Sequence, residues 1–214
     1  MTKDDRDNAT LVVTVRSFVN THEAREGQDR IGSAEDLVGW LSEAGLLGTD
    51  DAATPVRPPD LALAHDLRSV LRARLQHGDP PGRSSRAGAV ESAGTASAGG
   101  VAGPPGRRSA HPRGTAADGQ LDRVSRELPL RVDLQPEGRP SLVPAVDGIR
   151  AGLARVLAAV AALSPDEWAR LKVCPAGDCQ WVFYDESRNS SRRWCSMEGC
   201  GNRSKVRSYR ERAR

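Results

Sequence analysis

All four cysteines of this 214-residue chain stand in its last fifth, spaced as Cys174-x4-Cys179-x15-Cys195-x4-Cys200. Two close pairs, separated by enough chain for a hairpin, can bring four sulfurs to one point. A tetrahedral zinc ion needs four such soft ligands. A module this small buries too little apolar surface to fold alone, so a single structural zinc is expected to hold it together. Two disulfides would require an oxidising compartment, and a redox couple would prefer a Cys-x-x-Cys spacing. A catalytic zinc would need an open coordination position, which four thiolates do not leave. Gly177 and Gly199 are expected to ease the two ligand turns. Gln180-Trp-Val-Phe-Tyr184 is β-forming, and Arg192-Arg-Trp194 is expected to pair back against it. Trp181, Phe183 and Trp194 would then form a minimal core over the metal.

Charge is distributed unevenly around this module. From Leu171 to Arg214 there are ten basic and five acidic residues, a net of +5. The whole chain is only +3, so the preceding 170 residues carry −2. A basic tail on a slightly acidic body points to a polyanionic partner for the tail. The N-terminus, MTKDDRDNAT, lacks the apolar stretch of a signal peptide. The most apolar run, Val156 to Leu163, is too short to span a bilayer. A cytoplasmic location with no membrane partner is therefore expected, and reduced thiols there favour metal ligation.

The body reads as mainly helical with one small hairpin, an α+β domain over residues 10–165, followed by the zinc module over 166–214. Thr10 to Thr21 fits two periods: Leu11, Val13 and Val15 alternate as in a strand, while Leu11, Val15, Phe18 and Val19 fit a helical stripe. Ser33 is a good N-cap, with Asp36 three residues on, for a helix facing Leu37, Trp40, Leu41 and Ala44 and ending at Gly45. A second helix follows Pro58-Pro59, lined by Leu63, Leu67, Val70, Leu71 and Leu75 and closed by His77 and Gly78. Residues 78–119 are rich in Gly, Ala, Ser, Pro and Arg and hold little to bury, so a disordered insertion is expected there. Its arginines (Arg83, Arg86, Arg107, Arg108 and Arg113) are read as solvated. A short helix near Gln120 to Glu127 precedes Leu130 to Leu134, which alternates like a strand. Gln135 to Gly138 reads as a turn and Pro140 to Pro144 as a return strand. Asp147 should cap what reads as the longest helix, with Ile149, Leu153, Val156, Leu157, Val160 and Leu163 inward. Ser164-Pro165-Asp166-Glu167 starts a short helix that delivers the chain to Cys174.

The run Cys200-Gly-Asn-Arg203, followed by Lys205, resembles the signature of the CGNR zinc-finger family. So does Cys174-Pro-x-x-x-Cys-Gln-Trp-Val-Phe-Tyr-Asp185, together with Ser187, Asn189 and Arg192-Arg-Trp-Cys195. This likeness covers nearly all of the last 44 residues. Phe18-Val-Asn-Thr21 and Asp36-Leu-Val-Gly-Trp-Leu41 resemble the ABATE domain usually joined to that finger, a family of proposed stress-induced transcription regulators. The resemblance implies a regulator that binds DNA.

The residues give that reading a concrete form. A helix is expected from near Cys200, capped by Asn202. At 3.6 residues per turn, Arg203, Arg207, Arg210 and Arg214 share one stripe, flanked by Lys205. Val206, Tyr209 and Ala213 share another, which could pack on the module. Arg192 and Arg193 complete the expected nucleic-acid contacts, although an Arg beside a thiolate cluster, such as Arg203, can also simply offset its charge. The N-terminal domain, repelled by phosphate, is expected to dimerise or to bind a small-molecule effector. A protein- or RNA-binding adaptor with a purely structural zinc module is the competing reading. No Ser/His/Asp arrangement or phosphate loop stands out, so an enzyme is not expected.

Overall fold

A computed structural model describes residues 3–52, 54–78, 116–134 and 140–212. The expected disordered insertion, the hairpin turn at 135–138 and Arg214 lie outside them, apart from the insertion's edges.

The chain begins with helix α1 (Lys3–Val19), which settles the ambiguity of the opening segment. Val12, Val15, Phe18 and Val19 are buried, while Val13 is 49% exposed. Burial therefore follows the helical period and contradicts the alternating one. A two-residue hairpin pair follows, β1 (His22–Glu23) and β2 (Gln28–Asp29), antiparallel with His22 opposite Asp29. Helix α2 (Ala34–Glu43) starts at the expected N-cap, which closes as a capping box: the Ser33 side chain accepts from the Asp36 N–H and the Asp36 carboxylate accepts from the Ser33 N–H. A single turn, α3 (Thr49–Ala52), leads to α4 (Pro58–His77). All five residues expected on the inner face of α4 are buried, and Gly78 ends it in the left-handed conformation at φ 72.

Helix α5 (Ala116–Glu127) begins earlier than its sequence signal suggests. The hairpin of β3 (Leu130–Asp133) and β4 (Ser141–Pro144) pairs antiparallel, Leu130 opposite Pro144. Helix α6 (Gly148–Ala162) follows Asp147 as expected, although the Asp147 side chain makes no cap hydrogen bond. It is shorter than both α1 and α4, contrary to expectation. Helices α1, α4 and α6 pack on one another, α5 lies on α4, and β4 lies on α6. Phe18 and Trp40 meet at 5.5 Å between ring centroids.

Helix α7 (Pro165–Arg170) opens with a second capping box, Ser164 and Glu167. It runs directly into β5 (Leu171–Val173), which pairs antiparallel with β6 (Val182–Tyr184). The chain ends in a wide turn (Met197–Gly201) and helix α8 (Asn202–Arg212). Trp168, Leu171 and Val182 belong to the same hydrophobic core as α1, α4 and α6. The strands that carry the first cysteine pair are thus built onto the helical body. Among the described residues no helix is long and apolar enough to cross a membrane.

Candidate metal centre

Strands β5 and β6 form a hairpin whose tip is Cys174 to Cys179. This corrects the expected pairing of β6 with residues 192–194. Leu171 and Val182 bury in the main core and Asn20 bonds the other edge of β6, while the Cys174 N–H donates to Trp181 O at 2.9 Å, extending the β5–β6 ladder to the ligand itself. The tip closes through Cys179 N to Ala176 O at 2.9 Å. The left-handed residue that completes the turn is Gln180, at φ 52; Gly177 and Gly199 do not supply a positive φ.

Residues 185–192 are held by a different device. Asp185 is fully buried and accepts from Lys172 Nζ at 2.6 Å, Ser187 Oγ at 2.6 Å, Ser187 N at 3.0 Å and Arg192 N at 2.9 Å. Burial alone would raise its pKa. The bonds from Lys172, Ser187 and Arg192 outweigh that and hold the carboxyl well below the usual carboxylate range. Arg170 completes the brace, donating to the carbonyls of Asp185 at 2.8 Å and Ser187 at 2.9 Å. One buried carboxylate thus folds the loop that returns the chain to Cys195.

The second ligand pair is set by the wide turn before α8. Ser196 is its N-cap, its hydroxyl accepting from the Gly199 N–H at 3.1 Å. Asn202, expected in that role, already has helical angles and lies inside the helical run. Gly201 is closely approached: a Cβ there would lie 2.9 Å from Met197 Sδ and 3.3 Å from Trp194 Cδ1, so a side chain would have to displace the Met197 thioether. Phe183 and Trp194 pack against the cysteines as expected, whereas Trp181 is 37% exposed and lies off that cluster.

The result is one cluster. The sulfurs of Cys174, Cys179, Cys195 and Cys200 all lie within 4.8 Å of one another. Cys195 Sγ is 3.6 Å from both Cys179 Sγ and Cys200 Sγ. Those separations are far too long for a disulfide. They match a tetrahedron of Zn–S bonds, whose edges are about 3.8 Å. Three of the four cysteines are buried and Cys195 is half-buried. The donor set, the spacing and the burial all fit one structural zinc ion, which would fasten the two ligand turns together.

Around the cluster, the expected cationic residues divide sharply. Arg203 Nη2 donates to Cys200 Sγ at 3.2 Å and lies 3.5 Å from the Asp178 carboxylate. Arg192 donates to the carbonyls of Trp194 and Cys195 and lies over the Phe183 ring. Arg193 lies over the Trp194 ring. These three are engaged within the module. Lys205, Arg207 and Arg210 are exposed on α8, and none forms an ion pair among the described residues.

Two contacts have no local signature in the sequence. The Asn20 side chain donates to Val182 O and accepts from Val182 N, both at 2.8 Å, so one amide seats β6 on α1. Arg25 reaches Cys200 Sγ at 3.3 Å from the turn between β1 and β2. These pairs are separated by 162 and 175 residues. Asn20 lies in the Phe-Val-Asn-Thr run, the only hint of it in the sequence.

A family model described as "CGNR zinc finger" matches residues 170–213. Another, ABATE, described as "Putative stress-induced transcription regulator", matches residues 14–162, well over half of the chain. The chain belongs to the ABATE family. Its C-terminal part is a CGNR zinc finger, and the geometry gives three of the four signature residues a part in the site. Cys200 is a ligand, Gly201 allows Met197 and Trp194 to close in, and Arg203 bonds the ligand sulfur. The Asn202 side chain is exposed. No curated protein matches the chain.

Proposed function

We propose that this ABATE-family chain is a cytoplasmic, non-enzymatic transcription regulator that binds DNA through α8. The observation that carries the reading is the state of that helix. No residue of α8 is buried, yet Lys205, Arg207 and Arg210 project from it without acidic partners among the described residues. A helix tied to the module by Arg203 but burying no side chain leaves its other charged residues for a partner. One with this charge suits a phosphate backbone or the guanine edges of a major groove. Arg192 and Arg203 serve first to hold the module, so the contact is assigned chiefly to Lys205, Arg207 and Arg210. Arg193, exposed beside Trp194, adds to the same field.

One finger-sized module buries only about 600–1,000 Å² on DNA, so a second copy of the chain would raise affinity and specificity. The N-terminal helices are the part we assign to dimerisation or to an effector. Anisotropy titrations of labelled duplex DNA test the central part of this reading. The parent should bind with a log-log salt slope of about −3 for three phosphate contacts. A Lys205, Arg207 and Arg210 to Gln triple variant should lose most of that slope and affinity while keeping its metal. Equal binding by the two proteins would refute it.

A second reading has its own support. Of the stripe expected to pack on the module, Val206 and Tyr209 are 49% and 70% exposed and Ala213 lies outside the described residues; Met197, nearby in the chain, is 53% exposed. An apolar strip beside basic residues suits a protein partner, as an adaptor would require. If random-sequence selection enriches no DNA and the triple variant is unaffected, the adaptor takes precedence.

A further inference from the structure

Four thiolates around a divalent ion carry a formal excess of two negative charges, and the structure places two guanidinium groups against the same sulfur. Arg203 is one, from α8. The other, Arg25, comes from the helical body: its Nη2 donates to Cys200 Sγ at 3.3 Å, and its Nε lies 3.9 Å from Asp178 Oδ2. Asp178 also lies 3.5 Å from Arg203, so a thiolate and a carboxylate together hold both cations.

The turn that presents Arg25 is braced. Arg68 grips the Asp29 carboxylate with two bonds of 2.6 Å and also donates to Thr21 Oγ1 at 3.0 Å. Arg72 donates to the carbonyls of Val19 and His22. The Gly27 N–H closes the turn onto Glu23 O at 2.9 Å. Two buried or half-buried arginines of α4 thus fix the hairpin whose tip touches the metal cluster.

We propose that Arg25 is a positioning residue of the zinc site, tying the β1–β2 turn to the metal-held Cys200 sulfur, so that zinc retention and the seating of the finger on the helical body are coupled. A charge-assisted N–H···S bond is strong when the sulfur carries the charge of a coordinated thiolate. Outer bonds of this kind orient ligands and tune metal affinity. The coupling is reciprocal: if Arg25 helps keep the zinc, the zinc must steady the β1–β2 turn. This inference rests on the metal centre and is independent of whether α8 binds DNA.

The test uses the full chain. Zinc transfer to a chromophoric chelator should be about tenfold faster in Arg25→Gln than in the parent. Arg25→Lys, which keeps the charge but cannot fork between sulfur and carboxylate, should fall between them. A cobalt(II)-substituted sample supplies a readout that a purely structural role would not move. Loss of the N–H···S bond raises the sulfur lone pair in energy, so the sulfur-to-cobalt charge-transfer band of Arg25→Gln should shift to longer wavelength. Unchanged transfer rates would overturn the proposal. So would faster transfer with an unmoved band, because Arg25 would then act without bonding the thiolate.

Discussion

At the scale of single residues, buried carboxylates do much of the specifying. Asp60 is 3% exposed and accepts from Arg150 Nε at 2.7 Å and from the Arg57 backbone and side chain at 3.1 Å. It joins the start of α4 to the start of α6. Asp60→Asn should cost about 2 kcal/mol in urea unfolding at pH 7, because it removes the buried charged partner of Arg150 Nε and Arg57, while Glu127 still holds Arg150 Nη1. Burial raises the Asp60 pKa, but the bonds from Arg150 and Arg57 outweigh this and hold it below the ordinary value. A folded pKa below the unfolded one contributes stability that is present above about pH 3.9 and lost as pH falls through the native value. The gap between parent and Asp60→Asn should therefore narrow below about pH 4; a gap independent of pH would show that packing, not charge, makes the difference. Asp185 plays the corresponding part in the finger. Asp185→Asn should release zinc to a chelator faster than the parent, since the loop carrying the chain to Cys195 loses its anchor.

At the scale of elements, the sequence was most readable where the signal is local. The capping boxes at Ser33 and Ser164 and the buried face of α4 depend on residues a few positions apart, and each formed as its pattern implies. Pairings between elements were harder to read. Strand β6 was expected to pair with residues 192–194. It pairs with β5 instead, because Leu171 and Val182 bury in the main core and Asn20 satisfies the outer edge of β6, information that lies 162 residues away. Asn20→Ala should therefore cost about 2 kcal/mol by leaving the Val182 N–H and carbonyl unpaired in a buried place. Thermal melts of the zinc-loaded protein measure it, and an unchanged melting temperature would count against this seat. Helix α8 shows the opposite failure. Its apolar stripe suggested packing, but α8 buries no side chain, and Val206 and Tyr209 are exposed. Ending the chain after Ser204 should leave zinc bound and remove DNA binding.

At the scale of the whole molecule, the cysteine spacing identified the ligands and their metal, because a tetrahedral site imposes its demands on residue type and separation alone. The placement of the centre within the molecule was not legible. Arg25 and Asn20 act across the chain, and only the packed helices bring them to the finger. That placement gives the metal a wider role than holding a small appendage, since β5 and β6 share the core of α1, α4 and α6. Chelating the zinc should lower the melting temperature of the entire chain while far-ultraviolet circular dichroism retains most of the helix signal. The most direct test of this account is the zinc content of freshly purified, reduced protein. It predicts one zinc ion per chain, lost on Cys195→Ser; metal-free parent protein with an intact fold would contradict it.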